Sequence, residues 1–308
     1  MKKITVTIGI PAYFAQENIE PLLRSLVVQE QKNQKIVEIL VFSDGSTDNT
    51  VQNAQKVKDK RVKIIESKKR GGMAKGLLHM LSIFKGNTFL LLNDDIVIRD
   101  KSLVDKMTVP LLKGENVGLV GGNPQPFKGK TFVEKSGISA FNGYSNFRYS
   151  YKNGNTKYTC DGKLMLLTRD FVNSIKFPKS VKNMGNVDIY LYLSCIENNF
   201  AYRFAKNAKV LFQYPAITRD YVNWVTRNNS NAELLEKRFG GLVDREFYVP
   251  KGLFYKSLIQ EFMKNPLHSL FIFILGLYCN QKAKKMSEDF SAMWEPVNST
   301  KNLKKRYE

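Results

Sequence analysis

The chain has 308 residues, enough to bury one large core with an appendage, and its 43% hydrophobic and 25% charged content excludes a disordered protein. Its 48 Lys and Arg against 28 Asp and Glu leave a net charge of +20, which suits nucleotides, nucleic acid or anionic membrane surfaces as partners, or simply a Lys-rich solvated face. Most of that surplus lies in the body, since from Lys251 onward ten basic residues stand against five acidic ones. Cys160, Cys195 and Cys279 are widely spaced and odd in number, as expected of reduced thiols in a cytoplasm. With only His79 and His268 to join them, no Cys/His zinc site forms at the usual spacings. The opening residues carry two lysines but neither a long apolar run nor a cleavage site, so they do not read as a signal peptide.

Ile4 to Ile10 is β-branched and alternating and runs into Pro11, which predicts a buried first strand. Glu17 to Val28 carries a helical stripe at Ile19, Leu22, Leu23, Leu26 and Val27. Ile36 to Phe42 is a second strand ending in Ser43-Asp44-Gly45-Ser46-Thr47-Asp48, followed by a helix over Thr50 to Val57 and a short strand over Val62 to Glu66. Gly71-Gly72 opens a helix from Met73 to Phe84, and Thr88 to Leu92 is a fourth strand running straight into Asn93-Asp94-Asp95. Pro110 to Lys182 is irregular and aromatic, and reads as a long loop or substrate-binding insertion, with a strand at Cys160 to Leu167. Helices are predicted over Val187 to Asn198 and Tyr221 to Phe239, with a last strand at Leu211 to Gln213. Strands alternating with helices imply a mostly parallel sheet covered on both faces, with ligands outside the carboxyl ends of its strands. The Asp44 and Asp95 loops both follow strands, so both belong on that edge.

Adjacent acids at a strand end suit a divalent cation that neutralises a diphosphate, although two acids can also merely end a strand in a solvated turn. Asp44 has the chemistry to accept hydrogen bonds from a base or ribose, whereas Asp48 and Thr47 are placed to cap the next helix. Arg70-Gly71-Gly72 offers backbone N–H groups beside a basic side chain, a phosphate cradle with Lys75 one turn further on. The spacing matches neither a dinucleotide fingerprint nor a P-loop.

In this order the motifs resemble the family 2 glycosyltransferases of the GT-A fold, over Ile4 to Arg227. Ile8-Gly9-Ile10-Pro11-Ala12-Tyr13 looks like that family's opening strand and donor loop. Ser43 to Asp48 matches its Asp-Gly-Ser-Thr-Asp run, and Leu90 to Asp95 its Asp-x-Asp motif with Asn93 in place of the first acid. Asn186-Val187-Asp188 falls where the family carries an acidic pair whose second member is the catalytic base. Asn223 to Arg227 fits the Gln-x-x-Arg-Trp of processive synthases only at Arg227.

The resemblance implies a GT-A, Rossmann-like α/β domain over residues 1–240 and a C-terminal helical extension over 241–308. It implies an inverting transfer from a nucleotide-diphosphate sugar to a hydroxyl acceptor, glycan or lipid-linked, in surface polysaccharide synthesis. Asp95 would hold Mn²⁺ or Mg²⁺, and Asp188 would be the base. Pro11, Tyr13, Asp44, Ser46, Arg70, Gly72, Lys75, Asp94 and Arg227 would bind the donor. A nucleotidyl transferase and a basic nucleic-acid-binding module are the rivals, and no recognisable nucleic-acid motif supports the latter. Leu267 to Cys279 is the most apolar stretch, short of the roughly 20 residues a spanning helix needs. With its flanking lysines it reads either as a helix docked on the inner face of the cell membrane or as a buried one.

Overall fold

The computed structural model describes residues 3–178, 180, 184–229, 232–286, 297–301 and 303. Four parallel strands make the first half of the sheet: β1 (Ile4–Ala12), β2 (Gln34–Asp44), β3 (Val62–Ser67) and β4 (Thr88–Leu92). Alternation sorts their side chains onto two faces. Ile8 and Ile10, Ile39 and Val41, and Leu90 and Leu92 pack into one core with helix α1 (Ile19–Val27). Leu40 and Phe42, with Phe89 and Leu91, pack into a second core on the opposite face. Helices α2 (Thr50–Gln55) and α3 (Met73–Ile83) connect these strands, α2 on the first core through Ala54 and α3 on the second through Leu77 and Met80.

The short strand β5 (Ile96–Val97) and helix α4 (Leu103–Lys113) lead into β6 (Val117–Pro126). Helix α5 (Phe132–Ser150), strand β7 (Leu164–Thr168), and helices α6 (Arg169–Ser174) and α7 (Val187–Glu197) follow, before strand β8 (Ala201–Phe212). The eight strands lie in the order β3-β2-β1-β4-β7-β6-β8-β5. Only β7 and β5 run against the rest, so the sheet is mostly parallel, as expected.

The reading of Pro110 to Lys182 as a long irregular insertion is corrected. It contains β6, a ten-residue strand, and α5, a 19-residue helix. A capping box starts α5: the Thr131 hydroxyl accepts from Glu134 N at 3.1 Å while Glu134 Oε2 accepts from Thr131 N at 2.9 Å. The inward face of α5 carries small residues, Ser136, Gly137, Ser139 and Gly143, so it shows no apolar stripe. Helix covers the described part of the stretch expected to be helical over Tyr221 to Phe239, as α8 (Thr218–Asn229) and α9 (Ala232–Phe239), with residues 230 and 231 outside the described set. After α10 (Gly241–Glu246), helices α11 (Lys251–Lys264) and α12 (Pro266–Met286) lie against α5. Their contact uses those small residues: Ser257 Oγ donates to Gly143 O at 2.6 Å, and the Ser139 and Ser269 hydroxyls meet at 2.9 Å. Among the described residues no helix is long and apolar enough to cross a membrane. All three cysteines are free and buried.

Candidate active site

Parallel pairing brings the ends of β1, β2 and β4 to one edge, and the turn after β3 to the same place. Because β7 runs antiparallel, it delivers its beginning, Asp161 to Lys163, to that edge too. The start of α7 completes a cleft of about 550 Å³ there. Pro11, Tyr13, Asp44, Arg70, Gly72, Asp94, Asp95 and Asp188 all line it, so eight of the residues singled out from the sequence share one site. Ser46 and Lys75 do not line it. Arg227 sits on α8, but its side chain lies outside the described set.

On the donor side of the cleft the acids mostly hold backbone. Asp44, almost fully buried, accepts from Gly71 N on Oδ1 and Gly72 N on Oδ2, each at 2.7 Å. The expected phosphate cradle is therefore corrected: these two N–H groups are spent on Asp44. Gly72 reaches this position at a φ of 86°, which a side chain would oppose, and opens α3 as its N-cap. Lys75 runs its aliphatic stem over Gly71, where an added Cβ would meet its Cδ at 2.2 Å. Ser46 Oγ accepts from Phe14 N at 3.2 Å and Asp48 from Gln16 N at 3.3 Å, so the loop after β2 clasps the loop after β1. Asp48 also accepts from Thr50 N at 3.1 Å at the start of α2, the capping role expected of it. The Arg70 guanidinium stacks 4.1 Å from the Tyr13 ring centroid, placing a cation and an aromatic face in the cleft.

Asp94 accepts from Tyr13 N at 3.0 Å and is paired with Lys301, whose ammonium lies 2.6 and 2.8 Å from its two oxygens. Burial pushes its carboxyl above the ordinary range and the Asp95 charge adds to this, while Lys301 pulls the other way. Asp95 differs. Its Oδ1 is buried with no hydrogen-bond partner among the described residues, as is Oδ1 of Asn93 in the same turn. A buried anionic oxygen left bare fits a cation ligand. No group of three or more His, Cys, Asp or Glu that could hold a metal gathers among the described residues.

On the opposite wall, Asn186 takes the N-cap position of α7, and Asp188 sits in its first turn. Asp188 accepts from Ile189 N at 2.9 Å and from Gly162 N at 3.3 Å. Burial, and after it the charge of Asp161, pushes the Asp188 carboxyl above its ordinary range. Burial alone would raise Asp161 as well, but Lys163, 3.3 Å away, outweighs it and holds that group low. Two neighbouring acids are thus split, one kept ionised and one made more basic, the pattern that assigns acid–base roles. Burial also lowers the Lys157 ammonium to about 8, against the pull of Asp188.

The sequence reading did not single out Asp161, Lys163 or Lys301. Asp161-Gly162-Lys163 immediately before a buried strand was the available signal for the first two. Lys301 has none, because its partners Tyr13 and Asp94 are 288 and 207 residues away.

The profile of Glycosyl transferase family 2 matches residues 7–175, more than half of the chain. The chain belongs to that family. It is 26% identical over 200 residues to the Escherichia coli UDP-Glc:alpha-D-GlcNAc-diphosphoundecaprenol beta-1,3-glucosyltransferase WfgD, covering 65% of this chain and 72% of that one. It is 30% identical over 118 residues to an uncharacterized glycosyltransferase of Haemophilus influenzae, spanning 38% of this chain and only 35% of the relative's length. Among solved structures, this family 2 chain is similar to the Pyrobaculum calidifontis mannosyltransferase PcManGT in complex with GDP-Man and Mn²⁺, with a TM-score of 0.58 at 15% identity over 99% of this chain and 85% of that one. Glucosyl-3-phosphoglycerate synthase from Mycobacterium tuberculosis, in complex with Mn²⁺, UDP and phosphoglyceric acid, matches with a TM-score of 0.54 at 17% identity over 77% of this chain and 79% of that one. At such identities the likeness establishes the fold, which is GT-A.

Proposed function

We propose that this family 2 glycosyltransferase is an inverting, cation-dependent enzyme moving a sugar from a nucleoside-diphosphate donor to a hydroxyl of a lipid-linked acceptor, in surface glycan synthesis. One observation carries the reading: Asp95, with a bare buried oxygen, and Asp188, with a raised carboxyl, line the same cleft. Asp188 takes the proton of the acceptor hydroxyl as that oxygen bonds to the anomeric carbon. The bond from that carbon to the diphosphate breaks, its electrons leaving on the phosphate oxygen, and a single displacement inverts the centre. Arg70 and Tyr13 supply charge and a stacking face for the donor. Asp95 would hold the divalent cation, with Asn93 a neutral oxygen of the same turn, and when bound the ion neutralises charge on the leaving diphosphate. The solved relatives with Mn²⁺ and nucleotide support this assignment.

The acceptor class rests on the E. coli relative, whose name specifies a diphosphoundecaprenol acceptor, and on the outer faces of α11 and α12. Ile259, Phe262 and Met263 on α11, with Leu267, Leu270, Phe273, Ile274 and Leu277 on α12, are all exposed, Phe273 at 64% and Met263 at 78%. The opposite face of α12 packs inward, Phe271 against Phe132, and Ile272 and Leu275 against the core. A bilayer carrying anionic headgroups fits an apolar face flanked by Lys264, Lys282, Lys284 and Lys285 on a chain of charge +20. In this reading residues 1–240 are the catalytic body and 241–308 an extension that brings it to the acceptor, although Val297, Thr300 and Lys301 also line the cleft.

A panel of nucleotide sugars with Mn²⁺ or Mg²⁺, scored for donor hydrolysis and thermal stabilisation, tests the assignment. One donor should be hydrolysed, and Asp95→Ala should lose both turnover and metal-dependent nucleotide binding while its melting curve without ligand stays put. Undiminished turnover in EDTA would remove cation dependence from the mechanism.

A further inference from the structure

Residues 297–301 and Leu303 return from beyond α12 to the cleft and are tied to several of the loops that build it. Ser299 Oγ donates to Asp220 Oδ2 at 2.6 Å and accepts from Ala216 N at 3.2 Å, and its carbonyl accepts from Gln213 Nε2 at 3.4 Å. Further along, Leu303 is fully buried and donates its N–H to Asn18 Oδ1 at 2.9 Å. Between these anchors Val297, Thr300 and Lys301 line the cleft. Lys301 donates to both oxygens of Asp94 and, at 3.0 Å, to the carbonyl of Tyr13. Asp94 also holds Tyr13 N, so one carboxylate and one ammonium lock both backbone polar groups of Tyr13, whose ring carries Arg70.

A plug would fill the site that it blocks. With the strap in place the cleft still measures about 550 Å³, within the size range of small-ligand pockets. The strap is anchored to the ends of β1, β4 and β8 together, which fixes the spacing between them. An ammonium on a nearly fully buried carboxylate also satisfies a charge that would be costly alone.

We propose that residues 297–301 and Leu303 form a fixed wall of the donor pocket and that Lys301 is a positioning residue for the nucleoside diphosphate, acting through Asp94 and Tyr13. This deepens the donor reading above and rests on it. Calorimetric titration of the full chain with UDP, GDP and dTDP, each with and without Mn²⁺, tests it in the wild type and in Lys301→Ala, Lys301→Arg and Ser299→Ala. Lys301→Ala should weaken binding of the preferred nucleotide about tenfold, the scale of one lost charge-assisted contact. Donor KM should rise by a similar factor while kcat changes little, and Lys301→Arg, which keeps the charge, should recover most of the affinity. Ser299→Ala loosens an anchor without removing the ammonium, and should fall between the two. It decides the matter if Lys301→Ala does not fold. Variants that bind like the wild type would overturn the inference, and tighter binding would make the strap a plug. If the wild type itself binds none of the three nucleotides, the donor reading fails along with it.

Discussion

The two walls of the cleft use carboxylates in opposite ways. On the wall made by β1, β2 and β4, Asp44 and Asp94 are fully engaged, with two glycine N–H groups in one case and Tyr13 and Lys301 in the other. On the wall made by the starts of β7 and α7, Asp188 also accepts from two backbone N–H groups, but burial and the charge of the neighbouring Asp161 raise its carboxyl. The first arrangement holds loops in place, and in the proposed mechanism the second supplies the base. Asp95 is the exception on the first wall, since its buried Oδ1 has no hydrogen-bond partner among the described residues. Acidity in a cleft is therefore no guide to chemistry until the burial, charged neighbours and hydrogen-bond partners of each acid are known.

Substitution should separate the two walls. The largest effect is expected at Asp188→Asn, which keeps the shape of the side chain but loses its basicity. Turnover should fall roughly 10²–10⁴-fold, the usual contribution of a general base, with an unchanged melting temperature. In the wild type, kcat/KM should rise with pH through a group titrating above the ordinary carboxylate value of about 3.9, because only ionised Asp188 accepts the proton and burial raises its pKa. That limb should vanish in Asp188→Asn. Near-normal turnover in the variant would mean that the second wall is structural as well.

Asp44→Ala should do the reverse. It strands two N–H groups in a nearly buried place, so the fold should lose about 2–4 kcal/mol in denaturant unfolding, on the scale of lost hydrogen bonds to a charged group. An equally stable variant with poor nucleotide binding would turn Asp44 from a clasp into a ligand contact. The smallest effect concerns neither wall. Phe273→Ser with Ile274→Ser should reduce sedimentation with anionic vesicles severalfold while leaving hydrolysis of a soluble donor intact. If the wild type ignores such vesicles at low salt, membrane docking is removed and glycosyl transfer stands.

The first wall was largely legible in the sequence, because Ile8, Ile39 and Leu90 belong to short β-branched or leucine-rich runs, and those of Ile39 and Leu90 lead directly into the acids. Alternation told which residues face inward, and parallel pairing told which edge the loops share. Helix α5 escaped because apolar periodicity cannot register an inward face built from Ser136, Gly137, Ser139 and Gly143, although Thr131-x-x-Glu134 marked its start. Asp161 and Lys163 fell inside the strand expected over Cys160 to Leu167, whereas β7 begins at Leu164 and its antiparallel direction brings them to the edge of the cleft beside the end of β4. The bare faces of α11 and α12 were anticipated in part. Leu267 to Cys279 was flagged, whereas Ile259, Phe262 and Met263 are spaced among lysines and polar residues and form a patch only beside α12.

The bond between Lys301 and Asp94 also has a consequence in time. Asp94 is made 207 residues before its partner, which at a synthesis rate of about 5–20 residues per second is a delay of roughly 10–40 s. During that interval β1 to β4 have all they need to pair, yet the carboxylate at their edge lacks its counter-charge. The sheet can therefore form early, while the cleft is closed late, when residue 301 arrives from the far side of the chain.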